Sequence, residues 1–164
     1  VAALVTGQTQ KQAPVGTIHV VDPNPLNWLY VTYNTAEELV RVDPDGNVEP
    51  AAMSAYRWTD ERTLDVDVRE DEVFPDGEKL TAHSVKRSFD EMFRWKTPHP
   101  PGTQFNLDPR TTCEVTGEHA VRFHLPEPDG LALGKLRAMH IMSTRFWEGP
   151  GFGYIRNDTG EGRW

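Results

Sequence analysis

Only one cysteine, Cys113, occurs among the 164 residues. No disulfide can close within the chain, and no CxxC or cysteine-rich zinc pattern exists. A lone cysteine is compatible with any redox compartment. Long apolar runs are missing too, and none approaches the ~18 residues that a membrane-spanning helix needs. Cations are in deficit, with 17 Lys and Arg against 25 Asp and Glu and a net charge of −8. That sign repels phosphate backbones and argues against a nucleic-acid partner. The six histidines form neither HxH nor HExxH. A metal site needs convergent ligands, so no metal or other cofactor is expected. No serine stands in GxSxG, and the glycines of GPGFG (149–153) follow no strand and precede no Lys-Ser/Thr. A hydrolase elbow and a phosphate-binding loop are therefore both excluded. No internal repeat is present.

What is there reads as a mixed α+β domain with antiparallel strands and two or three helices. Thr17 to Val21 is a short β-type run that ends at Pro23 and Pro25, which cannot donate to a ladder. Asn34 or Thr35 is expected to cap a short helix over AEELV, with Glu37 and Glu38 in its first turn, where the dipole favours acids. Asp43-Pro44-Asp45-Gly46 is a turn signature between Val40/Val42 and Val48, which predicts a hairpin. Leu64, Val66 and Val68 alternate with Asp65, Asp67 and Arg69, the period of a strand with one buried face. Asp76-Gly77 marks a turn, Thr81 an N-cap, and Val85, Phe89, Met92 and Phe93 one helical stripe. The four prolines between residues 96 and 110 predict a long loop. Strands are expected at 111–115 and 120–125. A helix opened by Asp129 and carrying Leu133 and Leu136 should follow, then a short turn with Phe146 and Trp147.

Three constellations carry possible chemistry. Trp28 and Tyr30 stand between Asn27 and Asn34, with Tyr33 beside them. Ring faces desolvate a ligand and amides orient it, so Asn27, Trp28, Tyr30 and Asn34 are the candidate ligand-binding residues, with Trp147 and Tyr154 as further wall candidates. Asp65 and Asp67 share a strand face, and neighbouring carboxylates can split their pKa values for acid–base work. A solvated strand face is the plainer reading. His124 is the remaining acid–base candidate for an enzyme.

The order of these motifs resembles the N-terminal part of extracytoplasmic solute-binding proteins of ABC importers, the family 5 class that carries oligopeptides, dipeptides and nickel. The resembling stretches are AEELVRVDPDGNVEPAAMSAYRW (36–58), TDERTLDVDVREDEVFPDGEKLTAHSVKRSFDEM (59–92) and VTGEHAVRFHLPEPDG (115–130). The chain departs from the family pattern at Ala36, Glu38, Ala55, Tyr56 and Ser84. The resemblance implies part of a type II periplasmic-binding-protein fold: the opening strand of the first lobe plus an extra subdomain over 17–147. Residues 1–16 would be a leader remnant or linker, and 148–164 a glycine-rich tail. It also implies a noncatalytic function, binding a peptide-like solute for uptake, in the periplasm or at the cell surface. The expected partners are the solute, a membrane ABC permease and a second lobe in cis or in trans. Two alternatives remain open: a free-standing interaction module, and an enzyme on the same scaffold.

Overall fold

The computed structural model describes residues 15–17, 19, 36–94 and 106–149, and the backbone of 155–156 and 162–163. The hydrophobic core lies between a four-stranded sheet and one long helix. The sheet contains β4 (Met53–Asp60), β5 (Thr63–Val68), β6 (Thr112–Gly117) and β7 (Ala120–His124), in the order β4-β5-β7-β6 and antiparallel throughout. The alternation in β5 works as expected. Leu64, Val66 and Val68 are buried; Leu64 and Val66 pair with residues on both neighbours, Phe123 and Val121 among them, and Val68 pairs with Met53. Cys113 is buried on β6.

The helix, α1 (Ala82–Arg94), lays its apolar stripe on this sheet. Val85, Phe89 and Met92 are buried, and the Phe89 ring meets Phe123 edge-on at 5.5 Å. Its N-terminus is closed by two hydroxyls. The Thr81 N–H donates to Ser84 Oγ at 2.9 Å, and Thr81 Oγ1 lies 3.3 Å from Ser84 Oγ. Ser84 therefore closes a capping box in place of the longer carboxylate or amide usual there.

The sequence expectation fails over AEELV. Here β1 (Glu37–Glu38) and β2 (Val40–Val42) are strands. β1 pairs with the distant β8 (His140–Ile141), and β2 with β3 (Val48–Pro50). One turn of helix cannot offset its own nucleation cost. Two strand pairings bury Leu39 and Val40 completely instead. The turn at Asp43 forms as expected: its Oδ1 accepts from the N–H groups of Asp45 and Asn47, and Gly46 takes the left-handed φ of +88°.

Beyond β7, Asp129 opens α2 (Ala132–Lys135) by accepting from the Leu131 N–H, while its other oxygen holds Lys135 at 2.7 Å. A 3-10 turn (Leu136–Ala138) leads into β8. Then comes α3 (Thr144–Glu148), a helix where only a turn was expected, and a two-stranded pair, β9 (Ile155–Arg156) with β10 (Gly162–Arg163). Among the described residues no helix is long and apolar enough to cross a membrane.

Candidate functional site

Four stretches of chain converge on one cleft of about 710 Å3, within the ~300–1,000 Å3 usual for small-molecule sites. Glu37 and Arg41 come from β1 and β2, Phe74 and Asp76 from the segment before α1, Ile141 and Met142 from the β8 region, and Arg145 and Phe146 from α3. The segment before α1 owes its shape to Pro75-Asp76-Gly77. The Gly77 N–H donates to the Phe74 carbonyl at 2.9 Å, with Gly77 at a φ of +88°, a conformation that a Cβ would strain. The Val73–Lys79 bridge closes the loop.

This loop is latched to α3 by carboxylates. Ser143 Oγ donates to Asp76 Oδ2 at 2.6 Å, and the Thr144 N–H donates to the Glu78 carboxylate at 2.9 and 3.0 Å. Ser143 Oγ in turn accepts from the Phe146 N–H at 3.1 Å. The first N–H groups of a helix lack partners within it, and here side chains supply them. The Ser143 hydrogen bond, with backbone donation from Glu78 and the nearby charge of Arg145, keeps the Asp76 carboxyl below the ordinary range.

The floor of the cleft is apolar: Phe74, Leu80, Ile141, Met142 and Phe146. Its rim carries both signs of charge. Arg41 is engaged by Glu37 at 2.8 Å, and Glu72 by Arg69 at 3.0 Å. Arg145 is exposed at the rim and forms no ion pair among the described residues. Neither Arg145 nor the latch was legible in the sequence, since no spacing connects Asp76 with Ser143. The only available signal was the EVFPDG turn itself.

The other sequence candidates fall elsewhere. Asn27, Trp28, Tyr30 and Asn34 lie outside the described residues, as does Tyr154. Trp147 is not a wall residue. It is 3% exposed, and its Nε1 donates to Ser88 Oγ at 3.0 Å inside the core. Asp65 does not share a proton with Asp67. Arg122 grips it through two hydrogen bonds of 2.6 and 2.9 Å, and Arg57 adds a third at 3.0 Å. Chiefly through Arg122, its carboxyl is held down to about 2, which makes it a standing anion rather than a general acid. His124 Nε2 sits 3.1 Å from Glu114 Oε2 on the exposed sheet face. Burial pushes the Cys113 thiol up to about 12, so little thiolate exists for nucleophilic work. Among the described residues no group of three His, Cys, Asp or Glu side chains is placed to hold a metal ion.

An antiparallel sheet backed by a helix, with short strands pairing the chain's early and late segments, places the molecule within the type II periplasmic-binding-protein fold. A model of the family described as "Bacterial extracellular solute-binding proteins, family 5 Middle" matches residues 47–159, and the chain belongs to that family. It is similar to the nickel-binding protein NikA of Staphylococcus aureus, at 31% identity over 64 residues, which are 39% of this chain and 13% of that protein. Among solved structures it resembles the oligopeptide-binding protein AppA of Bacillus subtilis in complex with a nonapeptide. The TM-score is 0.61 at 19% identity, over 74% of this chain and 25% of that one. It also resembles Haemophilus influenzae OppA in complex with the peptide RPPGFSPFR. There the TM-score is 0.63 at 18% identity, over 75% of this chain and 28% of that one. The chain thus spans about a quarter of these structures' length.

Proposed function

We propose that this chain is the N-terminal part of an extracytoplasmic receptor that binds a peptide-like solute and delivers it to a membrane ABC permease, without chemical change to the solute. The observation that carries this reading is the family match over residues 47–159. The neighbours whose names include bound peptides supply the solute class. Nickel complexes are the competing class, from the similarity to a nickel-binding protein. The reading places the protein in the periplasm or at the cell surface, with a second lobe in cis or in trans that closes over the solute by a hinge motion. Within it, Asn27, Trp28, Tyr30 and Asn34 form part of the solute wall. The test is a calorimetric panel of short peptides and nickel–histidine complexes against the longest product of the gene. Peptide binding that weakens in a folded Trp28→Ala variant supports the reading. Unchanged affinity removes Trp28 from the wall, and a response to nickel complexes alone replaces the solute class.

A second reading, a module that associates with another protein chain, is favoured by one feature of β4. Tyr56 and Trp58 pair with the buried Val66 and Leu64, so their side chains share the inward face of the sheet. They are nevertheless 49% and 36% exposed. Mass in solution that rises with concentration, and falls back in a Tyr56→Ser/Trp58→Ser variant, supports this reading. A monomer at all concentrations argues against self-association.

A further inference from the structure

Residues 70–79 leave the core after Val68 and return to it at Leu80, both buried, yet none of them is itself buried. They fold back as a hairpin through their own backbone. The Phe74 N–H donates to the Glu78 carbonyl at 2.8 Å, and the Leu80 N–H to the Glu72 carbonyl at 3.0 Å. Arg69 pairs with Asp71 at 3.1 Å and with Glu72 at 3.0 Å, which stiffens the first arm without fastening it to another element. Among these residues only Phe74 packs against the core, and it is partly buried. The remaining attachment is at the tip, where Asp76 accepts from Ser143 Oγ and Glu78 from the Thr144 N–H. No other side-chain hydrogen bond leaves the hairpin among the described residues. The hairpin supplies Val73, Phe74 and Asp76 to the lining of the cleft, and the helix it is tied to supplies Phe146. Elements with little buried apolar surface and exposed backbone bonds open locally, well below the cost of global unfolding.

We propose that residues 70–79 are a flap on the cleft, hinged where they join Arg69 and Leu80 and fastened at the tip to the start of α3 by Asp76 and Glu78, and that release of these tip bonds opens the cleft while the sheet and α1 stay folded. The hinges are fixed: the Arg69 N–H donates to the Ala52 carbonyl at 2.9 Å, and Leu80 is 3% exposed. The tip is replaceable by water. Asp76 is exposed, and the Thr144 N–H is one of the first of a helix, a group that solvent satisfies readily. The partner side stays in place when the flap lifts. Ser143 Oγ keeps its bond from the Phe146 N–H at 3.1 Å, and Trp147 keeps its bond to Ser88 at 3.0 Å. Of the flap's side chains, Phe74 alone gives up core contact on opening. The flap governs access to the cleft whichever solute enters, so it does not rest on the solute-binding reading.

The test is NMR relaxation on the whole 164-residue chain. In the parent, relaxation dispersion should show microsecond-to-millisecond exchange, the range of lid motions, at the amides of Phe74, Gly77 and Glu78 and none at Val66 or Val121. In the Asp76→Ala/Glu78→Ala chain, the order parameters of those flap amides should fall from about 0.85 to below about 0.6. The Ile141 methyl, which lines the cleft and is 1% exposed, should become more accessible in that chain. Its relaxation by a soluble gadolinium chelate should rise, while the amides of β5 and β7 keep their parent values. Glu78→Gln retains an acceptor for the Thr144 N–H and should fall between parent and double variant. Flap amides that stay rigid in the double variant overturn the proposal, because Phe74 then suffices to hold the hairpin. A mobile flap with an unchanged Ile141 methyl overturns its control of the cleft, and a parent without exchange at the flap overturns opening in the native chain. Order lost in β5 and β7 as well would make the two carboxylates supports of the whole fold, which also overturns a flap.

Discussion

Single side chains hold the two halves of the described fold together. Ser88, fully buried on α1, accepts hydrogen bonds from the Met142 N–H at 3.1 Å and from Trp147 Nε1 at 3.0 Å, and sits 2.8 Å from the Ser84 carbonyl. Replacing it with Ala strands two buried donors, and each such loss costs about 1–3 kcal/mol. Ser88→Ala should therefore lower the urea midpoint with an unchanged m-value; an unchanged midpoint would show that water replaces the hydroxyl. His140 supplies a pH response. It is wholly buried on β8, and burial holds its imidazole down to about 4 from an ordinary value of 6.5. The unfolded chain thus binds a proton at a higher pH than the folded one. The stability contributed by neutral His140 is full above about 6.5, drains away as pH falls toward 4, and levels off below that. Glu38, across the β1–β8 pair, acts in the opposite sense, because burial raises its carboxyl and favours the protonated form in the fold. Urea midpoints between pH 7 and pH 4 should fall more steeply for the parent than for His140→Leu. Equal slopes would assign the acid sensitivity elsewhere.

At the scale of elements, α1 depends on its first turn. Ser84 is almost fully buried and bonds back to Thr81. Ser84→Ala should cost about 0.5–2 kcal/mol, the range for lost caps, with the loss read from thermal melts. Thr81→Ala alone should cost less, since its Oγ1 lies 3.5 Å from the Ser84 N–H while the Ser84 bond to the Thr81 backbone survives. The elements most legible in the sequence were those whose pattern is local. Leu64-Asp65-Val66-Asp67-Val68 alternates regardless of its partners, and Val85, Phe89 and Met92 mark a helix face by spacing alone. The segment AEELV was misread because nothing within it reveals β8. Its pairing of Glu37 with Ile141 and of Glu38 with His140 spans about a hundred residues of chain. Good local helix formers gave way to long-range burial.

Across the whole molecule, the sheet and α1 form one cooperative core joined through Phe123. That ring, 2% exposed, stacks edge-on against Phe89 and continues to Phe93, whose ring lies 4.7 Å from Phe89. Phe123→Ala should cost about 3–5 kcal/mol, enough to leave a domain of ordinary stability close to unfolding. Loss of cooperativity in the urea transition would instead mean that sheet and helix unfold separately. The outer face of the same sheet is a different case. Asp65 holds Arg57 and Arg122 across three strands, largely in reach of solvent, where ion pairs contribute little. The candidate site draws on both kinds of order, with its floor belonging to the core and its rim to solvent-exposed charge.

The sequence by itself determined the α+β class and three strands of the main sheet, β5, β6 and β7, through hydrophobic period and turn chemistry, which act over a few residues. The family was legible through the resemblance of its ordered motifs between residues 36 and 130. The sequence also marked the turn at Asp76-Gly77. Only the tertiary structure decided what that turn does. It sets Asp76 and Glu78 against the start of a helix more than sixty residues later, with Asp76 near enough to Arg145 to feel its charge. It likewise sent Trp147 inward to Ser88 rather than outward to a ligand. Such outcomes depend on which distant groups satisfy a buried donor or a charge, and that competition is settled by packing, not by any local spacing.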